Sequence, residues 1–397
     1  SIASTDKVCS VCGKGGKLVF GNVSVYKFYT IDKKGFISGG FVKSNAWKNY
    51  PVCEECKIYL EEGKKFIEKN LSFRFYGLNY HLVPDFILGV GDTPSRVLEI
   101  FEDASSLISL REGSIKRLTD DEEEILGLLA KEEDYVALNL LFLRKMKQAE
   151  RIILLIEEVL PSRLRKIFIA KDFVDEIFGE NFNFGKIRQF FPKKDNENPD
   201  LNKYFLEITD RIFRSNMIDC RFVLSAVIKK IRDMFVNGEK FRNQVIDGLM
   251  VFLFLEKLSL VCFEEVSMEE SYFESIFSRY KPVFQMPAKR GIFLLGCLTE
   301  LLLRKQYAER QTKPPFIKNL KGLRMDERDI KSLLPKVQNK LEEYDSFDKG
   351  KKMVSQEVSR YLLAAGDNWR LSCDEINFYF VCGMNLADEV NSLLYER

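Results

Sequence analysis

Two cysteine pairs constrain this chain more than any other feature: Cys9-Ser10-Val11-Cys12, followed by Gly13, and Cys53-Glu54-Glu55-Cys56, just behind Pro51. Each pair offers two sulfurs at a short, fixed separation, and four thiolates delivered this way match what a tetrahedral zinc ion takes. Gly13 lets the first knuckle fold back immediately after its second sulfur. Forty residues separate Cys12 from Cys53, against about fifteen to twenty in a usual double-pair site. The excess reads as strand-forming runs over Lys17–Thr30 and Gly35–Val42 around the turn Asp32-Lys33-Lys34-Gly35. A structural zinc on Cys9, Cys12, Cys53 and Cys56 would then staple the base of a β-hairpin insertion. Disulfides or a redox-active pair are the plain alternatives, although a redox site needs only one such pair.

The other five cysteines, Cys220, Cys262, Cys297, Cys373 and Cys382, fall mostly in apolar helical patterns, where a reduced thiol acts as a small hydrophobe. That usage fits a reducing cytoplasm better than secretion. With 397 residues, 46% of them hydrophobic, the chain can bury a large core in two or three domains. The most apolar runs, Leu249–Phe263 and Gly291–Leu303, are shorter than about eighteen residues and read as core helices, so no membrane partner is expected. The chain opens at Ser1 and runs almost directly into a knuckle, so residues upstream of it are expected.

Several chemistries are excluded by a single histidine. His81 lies in the alternating run Tyr76–Pro84, which reads as a strand; one imidazole rules out two-histidine metalloprotease and histidine-rich nuclease sites. No serine or cysteine sits in a nucleophile elbow. Gly13-Lys14-Gly15-Gly16-Lys17 lacks phosphate-loop spacing, and Gly89-Val90-Gly91 is a lone, weak glycine signal. Acidic runs such as Asp120–Glu124 read as solvated helix ends. The chain does not read as an enzyme.

The pattern predicts an α+β fold, with a zinc-stapled β-rich N-terminal part followed by an all-helical bundle. Residues 1–110 form the β-rich domain. Residues 111–192 form an α/β segment holding a strand pair, Asp134–Arg144 and Glu150–Val159, apolar enough for burial on two faces. Pro161 should end the second strand, with Ser162 capping a helix behind it. A polar linker bracketed by Pro192 and Pro199 leads to the bundle, residues 201–397. There Phe205, Ile208, Ile212 and Phe213 share one face, as do Val223, Val227, Ile228 and Ile231, then Val245, Leu249, Phe252 and Leu253, then Leu294, Leu298, Leu301 and Leu302.

Sixty-one basic residues oppose 59 acidic ones, leaving a formal charge of +2, so any nucleic-acid surface must come from local clustering. One cluster runs through Lys289 and Arg290, Arg304, Lys305 and Arg310, then Lys313, Lys318, Lys321 and Arg324, with Phe316 interleaved behind Pro314-Pro315. Cations with an aromatic among them can follow a phosphate backbone and stack a base; a solvated face is the simpler alternative. The residues singled out for nucleic-acid contact are Lys289, Arg290, Phe316, Lys318, Lys321 and Arg324.

Four stretches together resemble a known family: the knuckle pair with Phe28–Phe36 between, Ile152–Glu158 flowing into Val159-Leu160-Pro161-Ser162-Arg163, Pro315–Leu323, and Asn377–Met384. They resemble the large subunit of the type I-B CRISPR Cascade, of the Csh-type or Cas-eight b family, over almost the whole chain. The resemblance implies a non-catalytic subunit of an RNA-guided complex in antiviral defence. Its partners would be a CRISPR guide RNA, backbone subunits, target DNA and a separate helicase-nuclease recruited to cut. It implies sensing of a short flanking motif (PAM) and a helical part similar to a small subunit lying along the displaced strand, with Met217 a conceivable internal start. Such family members carry a sizeable region ahead of the zinc segment, so no PAM-reading residue is assigned. The Gly-Gly-Asp-Asp motif of polymerase-like CRISPR subunits does not occur. The competing readings are a free-standing zinc-ribbon regulator that binds nucleic acid, and an enzyme whose site the sequence hides.

Overall fold

In the computed structural model, residues 3–21, 23, 25, 42–87, 97, 99, 126, 129–147, 149–192, 201–263 and 271–395 are described. The chain divides into two compact units, Ser1–Phe168 and Ile169–Arg397. The architecture is the expected α+β one, β-rich first and mostly helical after. The expected insertion hairpin falls largely on residues 26–41, and the linker expected at 192–200 falls from 193 onward outside the described residues.

The first unit holds two antiparallel sheets. Strands β1 (Ala3–Lys7), β2 (Lys17–Phe20) and β3 (Val52–Cys53) pair in that order, and β3 runs directly into helix α1 (Glu54–Asn70). Strands β4 (Ser72–Phe75), β5 (Leu78–Phe86), β6 (Val136–Lys145) and β7 (Glu150–Val159) form a four-stranded meander. The β4–β5 hairpin turns on Tyr76 and Gly77, both at positive φ (47° and 80°), the turn whose twist matches that of paired strands. Phe75, Tyr80 and Phe142 pack as an aromatic cluster within this sheet, Tyr80 and Phe142 with centroids 5.3 Å apart.

The expected strand pair forms, but its two members differ. Strand β6 lies inside the sheet and is buried through most of its length. Strand β7 pairs only with β6 among the described strands; Arg151, Ile152, Glu157 and Glu158 are exposed, so burial on two faces holds for β6 alone. The physical reason is position: a strand with one neighbour keeps part of its surface in solvent, and its polar residues mark where. The capping assignment also changes. Helix α2 (Pro161–Phe178) starts with Pro161 as its first residue, where a missing N–H is no loss. Ser162 is therefore inside the first turn, and its amide donates to Asp134 Oδ1 at 2.8 Å.

The second unit carries α3 (Phe184–Arg188), α4 (Asn202–Arg214), α5 (Cys220–Asn237), α6 (Arg242–Lys257), α7 (Glu274–Arg279), α8 (Pro287–Arg310), α9 (Glu327–Glu343), α10 (Lys349–Ala365), α11 (Cys373–Asn385) and α12 (Ala387–Tyr395). The amphipathic faces predicted for it are buried, apart from a half-buried Leu301. Helix α8 is enclosed from Ala288 to Leu303 over nearly all its circumference, as a helix apolar all round must be. It packs on α10 and α11. Where α8 meets α11, Gly296 faces Phe380 O and Gly383 faces Phe293 O; a Cβ on Gly383 would lie 1.8 Å from that oxygen. The obstacle is backbone, which cannot rotate away. Gly383→Ala should therefore destabilise the helical unit by at least about 2 kcal/mol. Gly63→Ala on α1, where a Cβ meets nothing within 4 Å, should be neutral or mildly stabilising. Denaturant titration of the two variants checks the contrast.

Candidate metal centre and the basic cluster

The first knuckle is the β1–β2 connection. Gly13, at φ +69°, donates its amide to Cys9 O at 2.9 Å, and the Cys9 amide donates to Lys14 O at 3.1 Å, so the loop closes on itself. The second knuckle is the β3–α1 junction, with Cys53 as the N-cap of α1 and Cys56 in its first turn. Pairing of Val19 with Cys53 sets β2 beside β3, and Ser10 donates to Pro51 O at 2.8 Å, which closes one knuckle onto the other. All four sulfurs consequently lie within 4.8 Å of one another. Cys9, Cys53 and Cys56 are buried with Val19, Val23 and Val52, while Cys12 is exposed.

The donor set fits a soft divalent ion. Tetrahedral zinc–sulfur bonds of about 2.3 Å put sulfurs about 3.8 Å apart, inside the 4.8 Å that bounds the sulfurs' separations here. The Cys53 amide donates to Cys9 Sγ at 3.3 Å, the kind of contact that stabilises a thiolate. Burial pushes Cys9 up, but the amides of Cys12, Cys53 and Val11 outweigh it and bring it down to about 6. Cys56 goes the other way: burial, then contact with Cys53, Cys12 and Cys9, pushes it up to about 12. Four thiols this close cannot all ionise against one another, and a cation among them removes that opposition. Redox pairing is the poorer fit, because a disulfide would use two of the four sulfurs gathered here.

His81 is buried in β5, and burial lowers its pKa. The basic residues singled out in the sequence do not form one surface. Lys289 and Arg290 are buried at the start of α8. Arg290 donates to Phe284 O at 2.8 Å and, through both terminal nitrogens, to Glu274 at 2.7 and 3.1 Å, so it clamps α7 to α8. Lys289 Nζ lies 5.1 Å from the Tyr379 ring centroid. Phe316 is also buried, and its amide donates to Gln306 Oε1 at 3.1 Å. Lys321 is exposed and paired with Asp329. Lys313, Lys318 and Arg324 are exposed with no ion pair among the described residues. Lys240, on the α5–α6 turn, and Arg242, the first residue of α6, join Lys313 at one cleft; nothing in their spacing signals this, since seventy residues or more intervene.

Buried in this way, Phe316 should behave as core. Phe316→Ala is expected to lower stability by roughly 3–5 kcal/mol. A loss of single-strand affinity with stability unchanged would contradict that placement.

No curated protein matches the chain. Residues 6–159, which carry the four cysteines and both sheets apart from the first three residues of β1, match the family described as CRISPR-associated protein TM1802 (cas_TM1802), central domain. Residues 182–397, the helical part, match the C-terminal domain of the same family. One family thus accounts for the cysteine centre and the helical bundle alike, and the chain belongs to the CRISPR-associated protein TM1802 family.

Proposed function

We propose that this chain is the non-catalytic large subunit of an RNA-guided CRISPR surveillance complex of the type I-B Cascade kind, working in antiviral defence. The observation that carries the reading is that one CRISPR-associated family runs through both units. In such a complex, base pairing with the guide RNA reads the target DNA, and protein senses a short flanking motif and steadies the opened strands; the division of labour is argued by analogy with single-protein effectors. Cutting would belong to a separate helicase-nuclease that the subunit helps to recruit. A binding rather than catalytic role is supported by the lone histidine's burial in β5. It is also supported by the four-cysteine group, the one gathering of metal-type ligands among the described residues.

Cys9, Cys12, Cys53 and Cys56 hold one structural zinc in this reading. Four protein ligands leave no position for a water nucleophile. The isolated protein should contain about one zinc per chain, and acidification should release it because protons compete for sulfur. Cys53→Ser should lose the ion and loosen the first unit while the helical unit still unfolds cooperatively. A metal-free wild-type chain that is fully folded would overturn the assignment.

Lys318, Lys321 and Arg324 are the phosphate contacts proposed for the displaced strand; Lys321 would exchange Asp329 for phosphate. The test is target binding by the assembled complex with Lys318→Glu and Lys321→Glu together. Affinity should fall and the salt dependence should flatten by about one unit of slope per lost contact. An unchanged affinity and slope would move the strand path elsewhere.

A further inference from the structure

We propose that a cleft of about 730 Å³ on the helical unit, where the α5–α6 turn faces the end of α8 and the segment after it, is a nucleotide-binding site. The proposal rests on the nucleic-acid-binding reading above and assigns to it a pocket that the sequence did not reveal.

Three features point to a flat, anionic ligand. The first is charge. Lys240, Arg242 and Lys313 line the cleft, are exposed, and form no ion pair among the described residues. Arg304, also on the wall, is committed to Glu300 and Asp388. Glu239 is the lining carboxylate that remains without an ion pair among the described residues, and Arg242 also acts on the Asp388 carboxylate, so Lys240 and Lys313 are the cations left to face a ligand. The second is aromatic surface. Tyr307 lines the cleft while 54% exposed, and Phe241 is half-buried in an edge-to-face pair with Phe235, centroids 5.9 Å apart. The third is shape: the volume is within the roughly 300–1,000 Å³ that small ligands occupy, with Leu303, Pro314, Ile317 and Met384 as an apolar floor.

A base laid on Tyr307 would find apolar contact beneath, and its phosphate would meet cations from two segments far apart in sequence. Backbone-tracking cations beside aromatic platforms are how single strands are held. The same chemistry would accept a nucleotide within a strand or a free nucleoside monophosphate. The cleft is one residue from Lys318, at the start of the exposed basic segment, which favours the strand.

The experiment is fluorescence anisotropy of a labelled short oligothymidylate with the full chain, with thymidine monophosphate as competitor. Tyr307→Ala should weaken oligothymidylate binding about tenfold or more without altering the unfolding transition, while Tyr307→Phe keeps it. Lys240→Ala with Lys313→Ala should weaken binding and flatten its salt dependence. Feeble competition by the monophosphate identifies a strand segment as the ligand; stoichiometric competition by it, with the same variant pattern, identifies a free nucleotide. Wild-type binding that is indifferent to Tyr307→Ala and to the lysine pair overturns the cleft and leaves the functional reading standing. No binding of either probe by the wild-type chain also overturns the cleft, while the functional reading is decided separately by the assembled complex.

Discussion

Four sulfurs held within 4.8 Å of one another are the constraint on which the N-terminal unit turns. The strands around them are too short to stand alone: β2 has four residues and β3 two, and the buried cluster about them is a handful of valines and cysteines. A core of that size supplies little cohesion by itself. Burial first, and then contact with the other three cysteines, pushes Cys56 up to about 12, so the crowded thiols also oppose one another's ionisation. A cation at the centre would convert that opposition into cohesion, because its binding free energy would become folding free energy. Cys53 caps helix α1, and Lys64 on it reaches Val25 O at 2.5 Å and Glu150 of β7 at 3.9 Å, tying the centre to the four-stranded sheet.

The helical unit is held by different physics. Its central helix is apolar on nearly every side and is gripped at the α8–α11 crossing, where glycines bring backbone against backbone. Closeness of that kind relies on dispersion and exclusion of water rather than on any ion. Arg290 adds a polar fastening at one end, its guanidinium also lying 4.5 Å from the Phe277 ring centroid. Exposed charge lies on the outer faces of the helices, on the turns and on the segment following α8.

Legibility in the sequence followed how locally each feature is encoded. The cysteine pairs were readable because ligand type and spacing are set within four residues, and the amphipathic faces because a 3.6-residue period is a local property. His81 was correctly read as a strand residue for the same reason. What failed depends on neighbours distant in the chain. Arg290 looks like a surface cation until Glu274 and the Phe284 carbonyl close on it. Phe316 follows two prolines and reads as a projecting loop, yet Gln306 on α8 takes its amide and the ring goes inward. Ser162 has the right identity for a cap, but Pro161 had already started the helix. Lys240 and Lys313 share a cleft only because two helix ends meet there.

The central claim is that the four thiolates hold a zinc ion that organises the first unit. X-ray absorption at the zinc edge of the purified chain tests it most directly. The account predicts a single shell of four sulfurs at about 2.3 Å, with no nitrogen or oxygen scatterer in the first shell. A shell of mixed light atoms, or sulfur–sulfur bonds of about 2.05 Å with no metal bound, would contradict it.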